Sequence, residues 1–223
     1  MSELVSPRTF RFLRELAEHN ERAWFEANKQ RYLDDVRDPL LRFVAAAGPK
    51  LTKLSRSVVA DPRPVGGSLF RIHRDVRFSK DKSPYKTHAA LSFRHADGKE
   101  KPAPGFYLHL GPGDVFAGGG LWHAPPEAVK QVRDAIVARP QAWARVVRAC
   151  PLGEEQDTLK RPPRGYDPAH RFIEDLKRQS FTTGARFTQT QACADDFVER
   201  FTGACRKAAA LMEFLSRAVG VPW

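Results

Sequence analysis

The chain has 223 residues, 42% hydrophobic and 10% aromatic, enough for the core of one large domain, and its charged fraction of 28% is ordinary for a soluble protein. The net charge of +11 is the outlier, and it draws anionic partners: phosphorylated metabolites, nucleic acid or acidic surfaces. No run of 18 apolar residues occurs and Met1 to Phe12 contains no apolar signal region, so neither a membrane partner nor secretion is expected, and cytoplasmic localisation is.

Ser6-Pro7 supplies an N-cap and a first-position proline, and Phe10, Leu13, Leu16 and Ala17 follow at helical spacing. His19-Asn20 interrupts, after which Ala23, Trp24, Phe25, Tyr32, Leu33 and Val36 begin a second helix. A third is predicted from Leu40 to about Leu54 on Leu41, Phe43, Val44 and Ala47, with a break at Gly48-Pro49. From Arg56 to Trp122 the period changes to two. Strands are predicted over 69–78, 87–95, 105–110 and 115–121, with connections short enough for antiparallel neighbours.

Pro125-Pro126-Glu127 opens a helix to about Arg139, and Pro140 a shorter one ending near Cys150. Segment 152–168 is polar and Pro-rich, hence a loop; 168–180 reads as a helix and 181–187 as one more strand. Thr188 with Gln191 makes a capping box ahead of the last helix, whose apolar stripe is Phe197, Phe201, Ala204, Ala208, Leu211, Met212 and Leu215. The order helices, sheet, helices predicts a single α+β domain over 1–223: helical over 1–55, mainly antiparallel strands over 56–122, mainly helical over 123–223. Cys150, Cys193 and Cys205 are an odd number without paired spacing, which points to a reducing compartment and buried, reduced thiols.

The chemistry concentrates in LFRIHRDVRFSKDKSPYKTH, Leu69 to His88. As a strand, this segment turns Phe70, Ile72, Val76 and Phe78 toward the helices and Arg71, His73, Asp75 and Arg77 to the opposite face, with Arg74 out of phase at a bulge or edge. The next two strands repeat the division, adding His88, Ser92, Tyr107 and His109 to the polar side. From Arg71 to His88, six basic residues stand against two aspartates, so some compensation, internal or from a bound anion, is expected. A plain solvated sheet face with cross-strand ion pairs is the bland alternative. Asp75 is spaced to orient His73 or Arg77, and the loop FSKDKSPYK brings Lys80, Lys82 and Lys86 beside Tyr85, as phosphate sites do.

GGGLWHAPPE places Gly118, Gly119 and Gly120 before a helix start. They serve either an anion at free helix amides, with Trp122 and His123 beside it, or the packing of a large neighbour such as Trp24 or Trp122. LKRPPRGYDPAH adds Lys160, Arg161 and Arg164 with Tyr166, a solvated loop or a phosphate clamp.

RTFRFLRELAEHNERAWFEANKQRY, RIHRDVRFSKDKSPYKTHAALSF, GFYLHLGPGDVFAGGGLWH, LKRPPRGYDPAH and QSFTTGARF, from Arg8 to Phe187, resemble domain-of-unknown-function family 2461 of bacteria and fungi. That family tends to carry Tyr at the place of His73 and Asn-Asn at His19-Asn20, so the resemblance implies no essential histidine chemistry at position 73. It implies no established activity.

His73-x-Asp75 with His109 or His123 has the residue types of a two-His-one-carboxylate set, but Arg71, Arg74 and Arg77 oppose a cation there, so neither metal nor cofactor is expected. No nucleophile motif and no Walker or G-x-G-x-x-G pattern occurs. The first expectation is a basic recess for an anionic, phosphate-bearing small molecule. It would be held by Arg71, His73, Asp75, Arg77, Lys80, Lys82, Tyr85, Lys86, His88, Tyr107, His109, Trp122 and His123, with Asp75, His88 and His109 the candidates for catalysis if there is any. The alternative is a nucleic-acid-binding module on the same face, with Tyr85, Tyr107 and Trp122 as stacking platforms.

Overall fold

The computed structural model describes residues 4–154 and 158–223. The N-terminal helices are α1 (Pro7–Glu18), α2 (Arg22–Ala27), α3 (Lys29–Tyr32) and α4 (Asp38–Thr52), with a π-helical turn at Leu33–Arg37. Then come strands β1 (Ala89–Phe93), β2 (Gly105–Gly111) and β3 (Asp114–Leu121), helices α5 (Pro126–Ala138), α6 (Pro140–Ala149) and α7 (Ile173–Leu176), strand β4 (Phe181–Phe187), and helices α8 (Gln189–Ala192) and α9 (Phe197–Ala218). The strands form one antiparallel sheet in the order β1-β2-β3-β4, so the chain has the α+β architecture its sequence predicts. Among the described residues no helix is long and apolar enough to cross a membrane.

The α9 helix lies across the sheet. Its apolar stripe, from Phe197 through Phe201, Cys205, Ala208, Leu211 and Met212 to Leu215, is buried against Leu91, Phe93, Phe106, Leu108, Leu110, Val115 and Ala117. Phe201 sits between Phe93 of β1 and Phe43 of α4, at ring distances of 5.2 and 5.5 Å, which joins the N-terminal helices to the same core. Burying such a ring contributes on the order of 3 kcal/mol.

Five expectations change. The predicted strand over 69–78 is extended but makes only isolated bridges, Leu69 to Leu91 and His73 to Tyr85. Its aspartates turn the chain on themselves instead: Asp75 accepts from the Arg77 amide at 3.3 Å and Asp81 from the Ser83 amide at 2.9 Å, competing with any ladder. As a result Phe78 is 95% exposed and Phe70 37%, while Leu69 and Ile72 are buried. The break at Gly48-Pro49 is absent. The helix runs through it because Phe43, Val44, Ala47 and Leu51 are all buried on one face, which outweighs a proline cost of about 3 kcal/mol. The helix expected over 168–180 is reduced to Ile173–Leu176, where Leu176 is the buried residue. The Thr188–Gln191 capping box forms, at 2.8 and 3.1 Å, but it caps the one-turn α8, and α9 starts afresh after Asp196. Cys150 and Cys205 are buried as expected, whereas Cys193 is only half-buried.

The three glycines of β3 serve close packing. A Cβ on Gly119 would lie 2.7 Å from the Phe106 ring and 3.1 Å from the Met212 sulfur, so this glycine brings α9 onto the sheet; neither Trp24 nor Trp122 is the neighbour. On the other side, a Cβ on Gly118 would meet the Thr183 carbonyl oxygen at 2.8 Å and one on Gly184 that of Ala117 at 2.6 Å. Gly120 combines φ of +140° with a Cβ position 2.0 Å from the Phe181 oxygen. Gly120→Ala is therefore expected to destabilise the fold by about 3 kcal/mol or more, through strain and collision together. Gly113→Ala, at φ of +77° with open space around it, should cost only about 1–2 kcal/mol. Urea denaturation of the two variants measures the difference; equal costs would refute the collision.

Candidate functional site

Strand register decides which side chains share the face opposite α9. Ala90, His109, Phe116 and Arg186 lie side by side across the four strands, and Ser92, Tyr107, Gly118 and Gly184 form the next row. His88, just before β1, continues the row direction. Its ring stacks on His109 at 4.4 Å, His109 stacks on Phe116 at 4.8 Å, and the Arg186 guanidinium lies 5.8 Å from the Phe116 ring centre. The ring faces are turned to each other along the row. Tyr107 reaches His109 Nδ1 at 3.4 Å, and Asp114 lies 3.8 Å from His109 Nε2 while also binding Arg186 at 2.7 Å.

At the β1 edge the segment before the hairpin pairs briefly with the sheet, the Phe70 amide donating to Ala90 at 2.9 Å and the Ser92 amide to Ser68 at 2.8 Å. This carries the Phe70 ring to 6.4 Å from Tyr107 and brings Lys86 and Arg94 each to 5.7 Å from it. Lys86 Nζ donates to the Arg71 carbonyl at 2.6 Å. Burial, followed by the Arg71 charge, pushes the Lys86 ammonium pKa down. The face thus carries Lys86, Arg94 and Arg186 around a row of rings, with Asp114 as the acid in contact.

Of the predicted residues, Lys86, His88, Tyr107 and His109 meet on this face, with Arg71 adjoining through its backbone. Asp75, Arg77, Lys80 and Lys82 do not. They belong to the turn beyond the last bridge, where Arg77 grips Asp75 with two bonds of 2.9 and 2.7 Å and holds its carboxyl below the usual range. Lys82 donates to the Val76 carbonyl, and Asp81, bonded by Ser83 and by Arg74, is likewise depressed. Both aspartates of the turn are taken up by arginines, so Asp75 orients Arg77 and not His73, while among the described residues Lys80 and Lys82 form no ion pair.

Tyr85 and His73 lie on the other side. The Tyr85 ring is 3% exposed and stacks on Phe25 at 4.1 Å, which removes it as a stacking platform; His73 packs edge-on against the same Phe25 ring. Trp122, 75% exposed, and His123 stand at the end of β3, where the His123 amide donates to Ser180. The helix start beyond them is ill suited to an anion, because Pro126 has no amide hydrogen and Glu127 puts a carboxylate in the first turn. Tyr166 binds Asp134 of α5 at 2.7 Å, a tether for its loop.

Strand parity already sets Arg94 on the polar side with His88 and Ser92, whereas sequence reasoning missed Phe70, Asp114, Phe116 and Arg186. The strand parity of Phe116 and Arg186 held the signal, but the face of a residue is legible only once pairing across strands is known. Two concavities, one lined by Arg22 and one by Arg133, lie off this face.

A family model described as conserved hypothetical protein (DUF2461) matches residues 8–214, from α1 into α9 with the whole sheet included. No curated protein matches the sequence.

Both imidazoles of the stacked pair are held neutral. Burial first, then the charges of His109 and Lys86, bring His88 down to about 4 against a partial pull upward by Asp114. Burial also lowers His109, with Asp114 opposing and Arg186 adding. Because the unfolded chain binds these protons near pH 6.5, the contribution to stability is complete above that value and is lost as pH falls toward about 4. His88→Gln should accordingly flatten the fall of the urea midpoint between about pH 7 and pH 4.5. An unchanged slope would mean that folding leaves the affinity of His88 for its proton as it is in the unfolded chain.

Proposed function

Because the chain belongs to the DUF2461 family of conserved hypothetical proteins, its function has to be read from its own surface, and we propose that the sheet face opposite α9 binds single-stranded nucleic acid. The observation that carries this reading is the placing of cations at both ends of a ring row on one sheet face: Lys86, which feels the Arg71 charge, and Arg94 at the β1 edge, and Arg186 beyond Phe116. A polymer with a charge every few ångströms can satisfy separated cations at once, whereas a small anion gains from cations converging in a recess. The net charge of +11 adds long-range attraction.

Each group then has a role. Lys86, Arg71, Arg94 and Arg186 take phosphates. His88, His109 and Tyr107 offer hydrogen-bonding edges to unpaired bases; a base stacks on the exposed indole of Trp122, and such stacking contributes about 1–3 kcal/mol. A single strand is favoured over a duplex because base edges of a duplex are reached only through a groove, whereas those of a single strand can lie against side chains of a sheet.

Fluorescence anisotropy with a labelled single-stranded oligonucleotide tests it. With four cations on phosphates, log K should fall with log salt at a slope of about 3, and Lys86→Gln or Arg94→Gln should each lower that slope by about 0.7. Lys207→Gln, exposed on α9, should leave it unchanged. No binding at low salt, or equal loss from all three variants, would remove the proposal. The small-anion expectation finds its support at a different place.

A further inference from the structure

Between α2 and the hairpin lies a concavity of about 400 Å³, formed by Arg22 and Glu26 of the helix, His73, Arg74 and Val76 of one hairpin arm, and Pro84 and Tyr85 of the other. Its walls are fixed. The Asn20 side chain takes the place of a third strand beside Tyr85, its Nδ2 donating to the Tyr85 carbonyl and its Oδ1 accepting from the Tyr85 amide, both at 3.0 Å. On the other edge the Arg74 amide donates to Pro84 at 2.9 Å and the Lys86 amide to Ile72 at 2.8 Å. The Tyr85 ring is backed by Phe25 at 4.1 Å.

The charges lining it are unequal. Glu26 pairs with Lys29 at 3.2 Å and Arg74 pairs with Asp81, which leaves Arg22 as the lining cation without an ion pair among the described residues. Val76, Pro84 and the Tyr85 ring supply an apolar wall beside it. The volume falls within the range of small-molecule sites, which join an apolar lining to a few placed polar groups.

We propose that this concavity is a second binding site, separate from the sheet face, for a small organic oxyanion: a carboxylate or phosphomonoester whose charge lies on Arg22 and whose apolar body lies against Val76, Pro84 and Tyr85. Arg74 stands on the opposite wall as a second donor that Asp81 orients. The site stands on its own geometry and does not depend on what the sheet face binds.

Differential scanning fluorimetry of the full chain with benzoate and with phenyl phosphate tests it. A ligand that binds only the folded state raises the thermal midpoint in proportion to its occupancy. At least one probe is expected to raise it by several degrees, and the larger of the two shifts tells which oxyanion the site prefers. Arg22→Gln is expected to abolish the shift, as is Val76→Trp, which fills the space without removing a charge. Arg206→Gln, an exposed arginine of α9, keeps it. No shift with either probe, or a shift that survives both Arg22→Gln and Val76→Trp, overturns the proposal.

Discussion

Everything in this fold depends on the sheet being buried on one side only. The stripe of α9 covers the Leu91, Leu108 and Ala117 side of the four strands, and the contact is tight because Gly119 leaves room for Phe106 and Met212 at the same point. Phe201 then links sheet, α9 and α4 into one apolar body. Along β2 and β3 the residues on the opposite face are only half-buried, and their side chains settle with each other.

They settle by stacking across strands. Imidazole, imidazole, phenyl and guanidinium follow one another from His88 to Arg186 at distances near the strand spacing. The arrangement desolvates two histidines enough to keep them neutral, and it places cations at the two ends, Lys86 part-buried and Arg186 largely exposed. Charge on this face is therefore arranged around a neutral centre. The turn at 75–83 is a contrasting case: it is as rich in charge, but its two aspartates bond locally, Asp75 to Arg77 and Asp81 to Arg74 and Ser83, and Lys80 and Lys82 are left as its excess charge.

The helices, the order of elements and the last three strands were legible in the sequence because their apolar periods run uninterrupted, as in α9 and in Phe106, Leu108 and Leu110. The hairpin was half legible. Its alternation of Arg71, Ile72 and His73 is that of a strand, but periodicity does not register that Asp75 and Asp81 bond to amides two residues on. The sharing of one face by His88, Tyr107 and His109 followed from parity alone, and it holds. The distance of that face from Tyr85 and Lys82 did not, since it depends on where the hairpin leaves the sheet. Asn20 illustrates the same limit: an interruption between helices in the sequence, it is the side chain that ties helix to hairpin in space.

The close contact of β3 with β4 narrows what mutation can do to this surface. Gly118, Gly120 and Gly184 admit no side chain without backbone collision, so the central floor of this face is locked as bare main chain. Lineages carrying this architecture can diversify recognition only at the rim, through residues such as Phe70, Arg94, Trp122 and Arg186. Homologues with different preferences should differ there, around an unvarying centre.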